Sequence, residues 1–323
     1  MATVRGLDEI DTVVSAAQPT DVVIEALFVA PTELQYLTAK YPFVRWFVRA
    51  HSQMPFLAQD ALATQWICSY LQMAAVSIAA NTIRGTSDLK LIVRGFFPHW
   101  GEATMAHRVP LLPNYYPTPI PLPAIPPAFD TLNIGCLGAV RILKNQYLQA
   151  VAALGLATSQ KKLLNFHING SRLESAAPSV LQNIRDLFAS VSNAQLVEHP
   201  WLERGELMDL ARRLQLGMQV SFSETFNLVS ADFVTNNVPI VVSSEVMWAD
   251  PRIQAQTTNT VDIGAKAALA MADNSITESN RYRLLAHNEE SRTCWLAVFG
   301  VDDRWTDAPW HATPVVTTFD THM

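Results

Sequence analysis

Residues 216–244, LGMQVSFSETFNLVSADFVTNNVPIVVSS, hold strand, loop, helix, turn and strand in about thirty positions, the size of one α/β unit. Residues 218–222 are a short, largely apolar run suited to a buried parallel strand. Ser223, Glu224 and Thr225 make a polar turn that contains a helix-capping residue. Residues 226–234 then carry Phe226, Val229 and Phe233 at helical spacing, with Leu228 and Ala231 beside them. Asn236 and Asn237 stop the helix, and Val238, Pro239 and residues 240–242 open the next buried strand. Glu224 falls at the end of the first strand, and Asp232 follows about two helical turns later on a similar face. The backbone N–H groups of Phe226, Asn227 and Leu228 lie at the helix start without intrahelical partners, an arrangement that suits an anion.

Outward from this unit, the 323 residues are enough for two domains with large cores. Hydrophobic residues make up 49% and charged residues only 16%, which indicates a well-buried globular chain. A net charge of −6 gives no global basic field to recruit nucleic acid. Cys68, Cys136 and Cys294 lie far apart and read as buried core thiols in a reducing compartment, neither a disulfide framework nor a zinc site. No apolar run reaches membrane-spanning length and no signal pattern opens the chain, so a cytoplasmic location is expected.

The N-terminal third alternates strands at 21–29, 44–49 and 75–80 with helices at 31–39 and 57–72; 89–93 and 110–112 are shorter strand candidates. Such alternation implies a parallel sheet covered on both faces. Residues 113–127, PNYYPTPIPLPAIPP, place seven prolines in fifteen positions, which forbids a helix and marks a stiff linker between domains 1–127 and 128–323. The second domain reads as a doubly wound array. Its strands fall at 132–136, 163–168 and 195–198, its helices at 146–156, 177–190 and 203–214, and closing helices with a short break cover 262–298. Ligands of such a sheet lie at the carboxyl ends of its strands.

The 216–244 unit resembles the donor-binding motif of the retaining GT-B nucleotide-sugar glycosyltransferases, a family with many bacterial and phage members. The signature is a Glu, seven residues, a second Glu, then a Gly-x-Pro turn into a Val-rich strand. Here Glu224 stands first, Asp232 takes the second place, and the turn runs from Asn236 to Pro239. The resemblance implies that Glu224 holds sugar hydroxyls and that Asp232 binds the ribose. The loop 138–145, GAVRILKN, resembles the family's Gly, Arg and Lys segment, although two residues separate Gly138 from Arg141 where the common form has none. Arg141 and Lys144 would there grip the donor diphosphate and stabilise the charge that develops on it. No Asp-x-Asp occurs, so these cations are expected to replace a metal, and no cofactor beyond the UDP- or GDP-sugar substrate is implied.

His51 closes the strand VRWFVR, where the family often has a histidine facing the cleft; it reads either as a satisfied structural residue or as a contact to sugar or acceptor. Gly170, in the turn after the strand that carries His167, permits a close backbone approach to the nucleotide base, and His167 itself reads as structural. Asn114 is read as part of a tight turn closing the first domain, and Glu25, interrupting an apolar strand, requires a partner if buried.

The family's first domain begins with a strand, a glycine loop and a helix ahead of the segment matching residues 10–29, whereas here Met1 enters almost directly there. The expectation is therefore an α/β, GT-B-like protein of two Rossmann-type domains with parallel sheets, the first lacking its initial βα portion. Its implied activity is metal-independent transfer of a sugar from a nucleotide diphosphate to an acceptor hydroxyl with retention. Two other readings stand beside it. One is a non-catalytic nucleotide-sugar-binding subunit completing a partner enzyme; the other is phage-type glycosylation of modified DNA bases.

Overall fold

The computed structural model of the chain describes residues 6–118, 130–171 and 177–300. Contacts divide the chain into two compact units, Met1–Pro117 with Glu290–Met323, and Thr118–Glu289. Most of the proline run, residues 119–127, lies outside the described residues.

Unit 1 runs α1 (Leu7–Ala17), β1 (Asp21–Glu25), α2 (Pro31–Lys40), β2 (Arg45–Ala50), α3 (Met54–Leu57), α4 (Ala63–Gln72), β3 (Val76–Ala80), α5 (Ile83–Phe96) and α6 (Glu102–Arg108). Its described strands form a parallel sheet in the order β1-β2-β3. The central strand, RWFVRA, is buried without alternation from Trp46 to Ala50 because both its faces are covered. Trp46 and Val48 join a core with Leu34, Leu37, Ile67 and Tyr70. Phe47 instead meets Ala79 and Leu112, with Trp295, Val298 and Phe299 packed against them.

Four local expectations are corrected here. Residues 89–93 are part of helix α5, not a strand: Thr82 Oγ1 accepts from the Gly85 amide at 2.9 Å, and Leu89 and Val93 are buried while Leu91 is exposed. Residues 110–112 contribute only an isolated parallel bridge between Ala80 and Leu111. The long helix expected over 57–72 is interrupted, because Asp60 Oδ1 accepts from the amides of Leu62 and Ala63 and starts a new helix there. The first strand stops at Glu25, since Ala26 turns into the left-handed region with φ 63°. Helix α1 occupies a stretch to which the sequence reading gave no element. Of the three free thiols, Cys136 is buried whereas Cys68 and Cys294 are half-buried.

Unit 2 runs β4 (Thr131–Gly135), α7 (Gln146–Gln160), β5 (Leu163–Asn169), α8 (Ala177–Ala189), β6 (Ala194–His199), α9 (Arg204–Ala211), β7 (Leu216–Gln219), α10 (Leu228–Thr235), β8 (Ile240–Ser243), β9 (Gln254–Ala255) and α11 (Thr260–Ala272). Helix α12 (Asn274–Phe299) follows, and from Glu290 its residues belong to unit 1. The sheet is parallel in the order β6-β5-β4-β7-β8-β9, so the strand order reverses between β4 and β7. Strand β7 begins and ends earlier than the apolar run suggests. Beyond Gln219 its backbone bonds leave the sheet: the Val220 amide donates to Gln149 Oε1 at 2.8 Å and the Phe222 amide to Leu143 O at 2.8 Å. Helix α10 lies hard against β7, and a Cβ on Gly217 would sit 2.3 Å from the Phe233 ring. Among the described residues no helix is long and apolar enough to cross a membrane.

Candidate functional site

The carboxyl ends of β4, β5 and β6 are tied together by one buried side chain. After β4 the backbone of Gly138 takes φ +106°, a conformation that favours glycine, and its amide donates to Asn169 Oδ1 at 2.8 Å. Asn169 Nδ2 in turn donates to Pro200 O at 3.0 Å. The sequence pointed to the turn that Asn169 begins but not to this bridge, which depends on strand order.

From Gly138 the chain passes Arg141 and a single 3₁₀ turn, Ile142–Lys144, into α7. Gln149 Nε2 donates to Lys144 O at 2.8 Å while its Oε1 receives the Val220 amide. Asn145, itself left-handed at φ 56°, donates to Val220 O at 3.0 Å and to Thr257 O at 2.8 Å. These bonds hold the Lys144 segment against the chain leaving β7. Two motifs far apart in sequence thereby meet: Lys144 Nζ forms an ion pair with Glu224 Oε2.

Glu224 is otherwise enclosed. Its Oε1 accepts from the Thr225 amide at 3.0 Å, and its Oε2 also accepts from Asn227 Nδ2 at 3.0 Å. Only 9% of its side chain is exposed. Burial alone would push its pKa up, but the charge and hydrogen bond of Lys144, the Thr225 amide and the charge of Arg141 together hold it below the usual carboxylate range. The carboxylate is therefore ionised, and the field of Arg141 reaches it.

The helix start differs from the expectation. Helix α10 begins at Leu228 instead of Phe226, because Asn227 is left-handed at φ 59° and its Oδ1 caps the Ser230 amide at 2.8 Å. Phe226 is buried against Trp248 and His287, with its carbonyl accepting from Trp248 Nε1 at 2.7 Å, while Leu228 is exposed. Asp232 has 4% of its side chain exposed, and its Oδ1 lies 3.2 Å from Arg204 Nη1. Arg204, the first residue of α9, was not singled out from the sequence. Gly170 has a reason within the protein: a Cβ there would lie 2.2 Å from Glu198 Oε2 and 3.3 Å from Glu198 Cβ. His167 stands beside His199 at 2.9 Å.

His51 lies in unit 1, just past β2, where it meets residues that the sequence could not group. Glu25 Oε2 accepts from Arg49 Nη1 at 2.8 Å and makes a hydrogen bond with His51 Nε2. Arg49 also donates through Nε to Leu112 O at 2.7 Å and through Nη2 to Asn114 Oδ1 at 2.7 Å. Asn114 receives Asn81 Nδ2 as well, at 3.2 Å. The partners wanted for Glu25 are thus Arg49 and His51, although 44% of its side chain remains exposed. Among the described residues no three His, Cys, Asp or Glu side chains group to hold a metal ion.

No protein-family model and no curated protein matches the sequence. Solved structures do. A UDP-forming α,α-trehalose-phosphate synthase from Burkholderia xenovorans superposes with a TM-score of 0.67 at 14% identity, over 91% of this chain and 76% of that one. The sucrose-phosphate synthase of Thermosynechococcus elongatus gives 0.63 at 12% identity, over 92% and 78%. A trehalose-6-phosphate protein from E. coli, bound with UDP-2-fluoro glucose, gives 0.62 at 13% identity, over 92% and 76%. The fold is α/β and GT-B-like. At these identities the likeness speaks for the fold alone. Within it, Lys144, Glu224 and Asn227 meet beyond the carboxyl ends of β4 and β7, within reach of the Arg141 charge; Asp232 pairs with Arg204, and His51 belongs to a separate network in unit 1.

Proposed function

We propose that the protein transfers a sugar from a nucleoside diphosphate donor to an acceptor hydroxyl with retained anomeric configuration. The observation that carries this reading is the pairing of Lys144 with Glu224, within reach of the Arg141 charge, where the strand order of the unit 2 sheet reverses, between β4 and β7. Open α/β sheets bind their ligands at such a switch point. There Lys144 and Arg141 take the diphosphate, Glu224 the sugar hydroxyls and Asp232 the ribose. As the bond from the anomeric carbon to the diphosphate breaks, the leaving group gains negative charge, and two fixed cations in a partly dry site stabilise it. The acceptor oxygen bonds to the anomeric carbon on the same face, and its proton leaves with the diphosphate. With the developing charge met by Arg141 and Lys144, the reaction is metal-independent. The trehalose- and sucrose-phosphate synthases of like fold make a UDP-sugar the first donor to try.

Binding is measured by calorimetric titration of UDP and GDP, and turnover by release of free diphosphate from a panel of nucleotide sugars with and without acceptors. Arg141→Ala with Lys144→Ala removes two charge-assisted contacts, each about 1.5–3 kcal/mol, and the diphosphate affinity falls accordingly. An unchanged affinity in that double variant removes the site. Donor binding without turnover, restored by a co-purifying partner, supports a binding subunit in place of an enzyme.

A further inference from the structure

On the glycosyl-transfer reading Lys144 serves the diphosphate and Glu224 the sugar, but in the structure the two side chains occupy each other. Lys144 Nζ pairs with Glu224 Oε2, and only 12% of the lysine and 9% of the glutamate side chain are exposed. The same oxygen accepts from Asn227 Nδ2 at 3.0 Å, and Oε1 accepts from the Thr225 amide at 3.0 Å. A carboxylate has about four acceptor positions. Protein donors take three of them here. The surroundings of the pair are pinned apart from the lysine stem. Gln149 Nε2 holds Lys144 O at 2.8 Å, and Asn227 is fixed by Gln219 Oε1 at 3.0 Å and by its cap on the Ser230 amide at 2.8 Å. Nζ can therefore leave Glu224 by turning a flexible four-carbon stem, with the backbone in place.

A neutral ligand cannot separate such a pair, because it would leave a buried ammonium and a buried carboxylate without counter-charges. A diphosphate can, since it brings its own negative charge to Lys144. Once Nζ has turned to a phosphate oxygen, Glu224 keeps the Thr225 amide, Asn227 Nδ2 and the Arg141 charge, and its Oε2 regains an acceptor position. We propose that the Lys144–Glu224 pair is an exchangeable latch that makes the binding of a sugar hydroxyl at Glu224 conditional on a diphosphate in the same site. The sugar rests on the glycosyl-transfer reading; the exchange of Lys144 between carboxylate and phosphate requires no transfer. The consequence is selection by ligand class. Free sugars and nucleosides supply no anion and are refused, whereas a ligand that joins a sugar to a diphosphate opens the latch with one part and fills Glu224 with the other.

Inorganic pyrophosphate is the first probe, since it brings the charge without base, ribose or sugar; UDP and GDP follow. In crystals of the full chain soaked with each, Lys144 Nζ is expected on a phosphate oxygen and beyond hydrogen-bond distance of Glu224 Oε2. A bound diphosphate with Lys144 still on Glu224 overturns the latch. By calorimetry, Glu224→Gln is expected to bind pyrophosphate as tightly as the wild type or up to roughly tenfold more tightly, because Lys144 no longer has a carboxylate to leave. Weaker binding by that variant overturns the proposal, and so does failure of all three probes to bind the wild type. Loss of a nearby negative charge also favours an anion, so the position of Nζ in the soaked wild-type crystal is the deciding observation, and it stands even if the variant does not fold. Turnover of nucleotide sugars tests the transfer reading separately. Exchange of Lys144 without turnover keeps the latch and removes the transfer, whereas turnover with Lys144 unmoved does the reverse.

Discussion

Replacing Glu224 by Gln changes two things at once on the proposed reading, because the carboxylate assigned to the sugar also pairs with Lys144. The charge that would hold sugar hydroxyls is lost, while Lys144 is released to a phosphate. Nucleotide-sugar affinity is expected to fall, and that of the plain diphosphate to hold or rise; titration of both ligands separates these effects. Equal weakening of the two would overturn the division of roles. Asp232→Asn is expected to weaken both ligands by about 1–3 kcal/mol, since both carry the ribose. Each variant needs a thermal melt beside it, because removing one partner of a buried pair costs about 3–5 kcal/mol of stability. Arg141, Lys144, Glu224 and Asp232 could each be singled out from a motif of its own, whereas Arg204 could not. Their contacts were not legible: the Lys144–Glu224 pair depends on Gln149 and Asn145 stitching α7 to the chain beyond β7, and the Arg204–Asp232 pair on two helices meeting. Glu25 stood out as an acid in need of partners, but naming Arg49 required the β1–β2 register, which an apolar run does not encode.

At the scale of the element, the close seating of α10 on β7 sets where Asn227 and Glu224 fall. Gly217→Ala would drive a methyl group into the Phe233 ring at 2.3 Å. Overpacking of this kind is expected to lower stability by about 1–3 kcal/mol, read by chemical denaturation, and to weaken nucleotide binding as α10 lifts from the sheet. Binding intact alongside lost stability would show that the seating serves packing only. The α/β alternation of both units was readable because buried parallel strands such as IVVS of β8 are apolar on both faces and stand out from amphipathic helices. Reading failed where apolar runs were too short to show a period. In α5 the LKLIV segment satisfied a strand pattern, and the deciding feature was a cap at Thr82, seven residues upstream. The interruption before α4 likewise turns on one side chain, Asp60.

For the whole molecule, the His167–His199 pair makes stability depend on pH. The rings are within 10° of parallel with nitrogens 2.9 Å apart, so they share one N–H···N bond. Burial, aided by the His199 charge, lowers the His167 pKa from 6.5 to about 4. Below 6.5 the unfolded chain binds a proton that the folded chain refuses, so stability is expected to fall as pH drops from 6.5 towards 4 and then to level for this group. Melting temperatures across that window should decline less steeply in His167→Gln than in the wild type; identical slopes would remove the assignment. Contacts divide the chain after Pro117, not at the expected 127, and again at Glu290, which falls inside the continuous helix α12 and leaves no mark in composition. Because of it, unit 1 is made of two segments, and Trp295, Val298 and Phe299 fill the core around Phe47 only once the end of α12 is present. During vectorial synthesis, unit 2 is complete in the nascent chain before unit 1 can close. The half that is translated first must wait, partly assembled, for aromatic residues made only after the whole of unit 2.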